Sequence, residues 1–143
     1  MSSSKIPVRF TFSQGRSEIY GKLYRPSAKV YIRTDRGTWL PHYMLVDSGA
    51  DYTLLPKSID EFIGLRKDIA DHLYHSGGVG GGKIWVVMRR LKMRLGDYEF
   101  MADVGWAHSD NVPLLLGRAD VFERFEVHFK QHEKVTEFHW RGT

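Results

Sequence analysis

Residues 43–56 read YMLVDSGADYTLLP, an apolar run that breaks at Asp47-Ser48-Gly49-Ala50-Asp51 and resumes at Thr53. A buried strand therefore delivers one carboxylate into a tight turn, and a second strand covers it. A carboxyl group among apolar neighbours has to be hydrogen-bonded, paired or partly protonated, and chains accept that cost mainly where the group has chemistry to perform. The adjoining residues suit such a use. Ser48 offers a hydroxyl to the turn, Gly49 lets the backbone approach closely, and Ala50 leaves room above the carboxylate. The competing reading of Asp47 is a structural carboxylate that only caps the turn.

Outward from this stretch the pattern is that of strands. Pro7 to Phe12 alternates Val8, Phe10 and Phe12 with Arg9 and Thr11, as a half-buried strand does. Lys29 to Arg33 and Leu40 to Val46 give two more strands around the turn Thr34-Asp35-Arg36-Gly37. Pro56 and Ser58 open a short helix through Phe62 that stops at Gly64. Leu65 to Ser76 has no assignable pattern. Gly77 to Gly82 is nearly all glycine and leads into a long strand, Ile84 to Leu95, which a turn at Gly96-Asp97 joins to the alternating run Tyr98 to Trp106. Val112 to Leu116 reads as a continuous apolar strand ending at Gly117, and Arg118 to Arg124 as one or two helical turns. Phe125 to Lys130 and Lys134 to Trp140 are two closing strands around Gln131 to Glu133. Many short strands, frequent turns and little helix indicate an all-β sandwich or barrel.

The 143 residues suit a single domain spanning 1–143, with 42% hydrophobic residues for its core. No apolar run approaches the roughly 18 residues of a membrane span, so no membrane partner is expected. The amino terminus, MSSSKIPVRF, lacks the apolar core of a signal peptide, and there is no cysteine. A cytoplasmic location is favoured. The net charge of +4 is spread along the chain except at residues 89–94, RRLKMR. Alternation there puts Arg90, Lys92 and Arg94 on one strand face and Leu91, Met93 and Leu95 on the other. A solvated outer face explains this better than a nucleic-acid groove.

Two further patterns are set aside. Gly77 to Lys83 spells G-x-x-x-x-G-K, but Ile84 stands where a phosphate-binding loop needs Ser or Thr, and a strand follows where a helix should. Among seven histidines, His72 and His75 lie three apart and His128 and His132 four apart. In strands and loops those spacings define no tetrahedral site, so no metal and no cofactor is expected. Trp39, Trp85, Trp106 and Trp140 read as packing residues.

Three segments occur together in one known family: VDSGAD at 46–51, GGVGGGKI at 77–84 and PLLLGRADVF at 113–122. In this combination and order the chain, from about Leu40 to Phe129, resembles the retropepsin-like aspartic proteases. The resemblance implies a closed acid-protease barrel working as a homodimer on polypeptide substrates. It implies that Asp47 is catalytic, with Ser48 and Gly49 completing its loop and Ser48 bonding across the dimer. Ala50, Asp51, Leu114 and Leu115 would meet substrate, and Gly78, Val79 and Gly80 would form a flap over it with Val79 at its tip. Arg118 and Gly117 would support the loop, Arg118 by pairing with Asp51.

Chemistry independently asks for the dimer. Peptide hydrolysis by this route needs two carboxylates sharing a proton, one acting as base toward water and the other as acid toward the carbonyl oxygen. The chain contains one suitable turn, so a twofold axis has to supply the second. Such a pair favours acidic to mildly acidic conditions. The alternative in another class is a catalytically inactive dimer of the same fold, serving as a peptide-binding or assembly module.

Overall fold

A computed structural model describes residues 6–77 and 83–142. In chain order the strands are β1 Val8–Thr11, β2 Ser13–Ser17, β3 Gly21–Arg25, β4 Ser27–Arg33, β5 Trp39–Val46, β6 Thr53–Leu55, β7 Tyr74–Gly77, β8 Lys83–Leu95, β9 Tyr98–Ala107, β10 Leu115–Leu116, β11 Phe125–Lys130 and β12 Val135–Trp140. A 3-10 turn, Lys57–Ile59, runs into helix α1, Asp60–Ile63, and helix α2 covers Val121–Arg124. No helix among the described residues is long and apolar enough to cross a membrane.

Six strands close on themselves in the order β4-β5-β10-β6-β9-β8, and β8 returns to β4 through Ile32 opposite Met93. The result is an all-β barrel with β7 added outside β8. The alternation read from the sequence sets its faces: in β4, Ala28, Val30 and Ile32 point inward. With them lie Met44, Leu55, Met93, Leu95, Trp106 and Leu116, each almost fully buried. Side chains of this size contribute about 1.5–3 kcal/mol apiece on burial. The sheet β1-β12-β11 stands apart from the barrel but shares its core. Phe125 and Phe138 from that sheet meet edge to face at 5.7 Å inside the same cluster. Trp106 also ties the elements together, its indole N–H donating to the Lys57 carbonyl at 3.0 Å.

Several elements depart from the sequence pattern for identifiable reasons. The hairpin β2–β3 carries no apolar alternation because it buries no complete face; Ile19 and Tyr20 at its tip are exposed. The apolar run 112–116 is strand only over Leu115 and Leu116. Pro113 has no N–H to give to a ladder, and Val112 instead packs into a smaller cluster with Leu54, Val86 and Ala107. The segment 65–76 has little regular structure until β7 begins at Tyr74. By contrast, helix α1 stops at Gly64 as expected, since that residue takes a left-handed φ of 80°. The residue after Lys83 continues a strand, the geometry that excludes a phosphate-binding loop here. On the basic face, Arg90 pairs with Asp103 and Asp120, Lys92 with Glu99, and Arg94 stacks on Tyr31 and Trp39.

One inward position of β5 is polar. His42 shares the buried face of Met44 and Val46, and its Nδ1 has no hydrogen-bond partner. Burial holds its imidazole below the ordinary value near 6.5, so the neutral ring is the folded form. The unfolded chain then binds the proton more readily, and stability is lost as pH falls from the ordinary imidazole range toward the lowered folded value. His42→Leu should therefore stabilise the protein by about 1 kcal/mol at neutral pH, by removing an unpaired buried nitrogen. Urea denaturation from pH 7 to pH 5 should show the gap between variant and wild type widening. A constant or shrinking gap would refute the titration argument.

Candidate active site

The end of β5 is fixed before the chain turns. Val46 lies opposite Leu116 in the parallel pair β5–β10. Leu45 N–H donates to the Leu114 carbonyl and Asp47 N–H to the Leu116 carbonyl, both at 3.0 Å. The turn then folds back on Asp47 itself. Gly49 N–H donates to Asp47 Oδ1 at 2.9 Å, and Ala50 N–H to the Asp47 carbonyl at 3.2 Å. A second segment locks onto the turn: Arg118 N–H donates to the Ala50 carbonyl and Ala119 N–H to the Asp51 carbonyl, both at 2.9 Å. Beneath them, Thr53 Oγ1, fully buried, accepts Gly117 N–H at 3.1 Å. The two loops thus position the carboxylate through main-chain bonds, which hold geometry better than flexible side chains do.

Asp47 is half-buried; Ser48, Gly49 and Asp51 are exposed, and Ala50 is half-buried. Only one carboxylate oxygen is engaged, since Oδ2 accepts no hydrogen bond from the described residues. The Ser48 hydroxyl likewise has no partner among them. An oriented carboxylate with one open oxygen can hold a water or share a proton with a second carboxyl group. It faces an open hollow of about 180 Å³ lined by Arg25, Pro26, Leu45, Val46, Asp47 and Leu115.

Of the substrate-contact residues expected from the sequence, Leu115 lines this hollow and Leu114 does not. Successive side chains of an extended segment point to opposite faces. Leu114 lines a separate hollow of about 340 Å³ with Leu40, Pro41, His42, Ile59 and Phe62. Leu115 also packs, with Ile84 and Met88 of β8, against the cluster of Leu54, Val86, Ala107 and Val112. The root of the β7–β8 hairpin and the Asp47 hollow therefore share a wall. The expected flap residues Gly78, Val79 and Gly80 lie outside the described residues.

The side-chain pair expected between Asp51 and Arg118 is not formed. Among the described residues the ion pairs involve other partners, and the two segments are joined by main-chain bonds instead. Sequence reasoning missed Arg25 and Pro26, which reach the hollow from the junction between the polar hairpin and β4. It also missed Thr53, whose hydroxyl looks from sequence like any β-branched strand residue.

Compared with protein-family models and with curated proteins, the chain matches none. Solved structures do match. The EIAV protease complexed with the inhibitor HBY-793 superposes with a TM-score of 0.51 at 24% identity, over 66% of this chain and 82% of that one. That likeness and the closed barrel establish the fold as retropepsin-like.

Proposed function

We propose that the protein is an aspartic endopeptidase whose reaction centre forms between two identical subunits, each contributing Asp47. The observation that carries the reading is the half-buried Asp47 carboxylate, with Oδ1 pinned by Gly49 N–H and Oδ2 open among the described residues. One oxygen is held in place and the other is left for reaction. The fold shared with the EIAV protease supports the same reading.

In the proposed dimer a water lies between the two Asp47 groups. One carboxylate takes a proton from the water as it attacks the scissile carbonyl, and the protonated partner donates to the carbonyl oxygen; the amine then leaves with a proton returned from the dyad. The exposed Ser48 hydroxyl stands ready to bond across the twofold axis. Ala50, Asp51 and Leu115 would flank the substrate, and Gly78, Val79 and Gly80 would cover it. Gly117 and Arg118 support the loop through the main chain. Leu114, which faces the other hollow, acts as packing in this reading.

The test is cleavage of a broad peptide library between about pH 4 and pH 7, the range suited to carboxylate dyads, by wild type and by Asp47→Asn. The variant should keep its fold and lose hydrolysis by a factor of roughly 10² to 10⁴, the scale of general acid–base catalysis. Cleavage that survives the substitution would remove Asp47 from the mechanism. A folded wild-type dimer that cleaves nothing in the library would favour a peptide-binding module.

A further inference from the structure

The outer face of the β11–β12 hairpin brings together residues that sequence spacing keeps apart. Its register places His128 opposite Glu137 and Glu126 opposite His139. All four side chains consequently project from the same face. The two imidazole rings lie 4.3 Å apart, tilted by 34°. His139 Nε2 is 2.9 Å from Glu137 Oε1, and His128 Nε2 is 3.0 Å from Glu126 Oε1. One nitrogen of each imidazole and one oxygen of Glu137 all fall within 4.8 Å of one another.

Glu137 makes this more than a chance grouping of surface polar residues. It is a nearly buried carboxylate, 6% exposed, on a sheet face where Glu126, His128 and His139 are at least partly open to solvent. Arg9 at 2.9 Å and Lys130 at 3.2 Å both hold its Oε2. They fix the group and leave Oε1 turned toward the histidines. Each imidazole can offer one ring-nitrogen lone pair to a metal ion.

We propose that His128, His139 and Glu137 form a site for a divalent transition-metal ion of the zinc class, with the fourth position left to solvent. Two nitrogens and one carboxylate oxygen match the borderline ligand preference of zinc rather than that of calcium and magnesium, which want six or more oxygens. Tetrahedral zinc separates its ligand atoms by about 3.3 Å, from bonds near 2.0–2.1 Å, so the cluster contracts slightly on binding. Arg9 and Lys130 offset the charge of Glu137, which limits affinity and makes imidazole coordination decisive. The ion would clamp β11 to β12 at the outer edge of the terminal sheet. The site is independent of Asp47 and of the proposed hydrolysis.

Chelator-treated full-length protein should be titrated with zinc by calorimetry and with cobalt by visible absorption. The expected result is one equivalent of zinc per chain, a tetrahedral cobalt spectrum, and a higher melting temperature with zinc. His128→Ala and His139→Ala should each weaken binding at least tenfold, the scale seen when metal-site support is removed. His72→Ala should leave binding unchanged, and magnesium should not compete. Circular dichroism checks that each variant is folded, and zinc-dependent shifts of the His128 and His139 ring resonances give a readout in the unmutated chain. Absence of saturable zinc binding, or wild-type affinity in both alanine variants, would overturn the proposal.

Discussion

Exchanging subunits between wild-type and Asp47→Asn chains should reduce peptide hydrolysis far more than dilution does. With total chain held constant and the two forms equal, random reassortment across a twofold interface leaves about a quarter of the dimers with both carboxylates. Nine parts of variant to one of wild type leave about one dimer in a hundred intact by the same statistics. A site complete within one chain would give about a half and about a tenth, because each wild-type chain would work alone. The mixed dimer is inert in this account because the reaction needs a base and an acid at once, and a carboxamide can be neither. The described turn is consistent with that requirement: Gly49 N–H holds Asp47 Oδ1, and Oδ2 accepts no hydrogen bond from the described residues, so each chain offers one such carboxylate at this turn. Activity that falls in proportion to the wild-type fraction would dismiss the shared centre while leaving the fold untouched.

How far the sequence disclosed this arrangement depended on whether a signal was carried by burial. The strands of the barrel were legible because they alternate. Inward Val30 and Ile32, and Met93 and Leu95, answer to a rule that polar hairpins escape. The strands β2 and β3 were silent for that reason, and with them went Arg25, which reaches the Asp47 hollow from their far end. The DSGAD turn was legible because an Asp between two apolar runs is costly. Its partner segment was legible from the resemblance as support from Gly117 and Arg118, but not the form of that support, since the bonds that join the two loops are main-chain bonds to which side-chain identity gives no clue. Leu114 and Leu115 looked interchangeable in sequence, yet opposite faces of one extended segment send them to different hollows. The pairing of Glu126 and His128 with His139 and Glu137 was hidden by a single residue. A turn confined to Gln131 to Glu133 would set Lys130 opposite Lys134 and His128 opposite Thr136, whereas the chain turns over residues 131–134 and pairs Lys130 with Val135.

Gly117→Ala should cost about 4 kcal/mol of folding stability, summing roughly equal parts from overpacking and from a broken buried hydrogen bond. A Cβ at this position would run into the carbonyl group of Tyr52 and come within 2.9 Å of the Thr53 nitrogen. These are main-chain atoms, so no side chain can swing aside to make room. Relief requires the two loops to separate, and separation breaks the bond from Gly117 N–H to the fully buried Thr53 Oγ1. Against a total of roughly 5–15 kcal/mol for a domain, a loss of that size is large, and it should lower the melting temperature by about 10 °C or more. Gly15→Ala on β2 is the matched control, since its Cβ would meet only an Arg25 guanidinium nitrogen at 3.9 Å and stability should change by less than about 0.5 kcal/mol. Urea denaturation of the two variants decides the matter, and a loss below about 1 kcal/mol for Gly117→Ala would mean that the loops are not packed as described. The same displacement bears on catalysis, because Arg118 and Ala119 hold Ala50 and Asp51 through bonds that start one residue beyond Gly117. Folded Gly117→Ala protein should accordingly lose peptide hydrolysis out of proportion to its folded fraction, since an Asp47 turn without its main-chain support no longer holds the carboxylate where a second subunit can meet it.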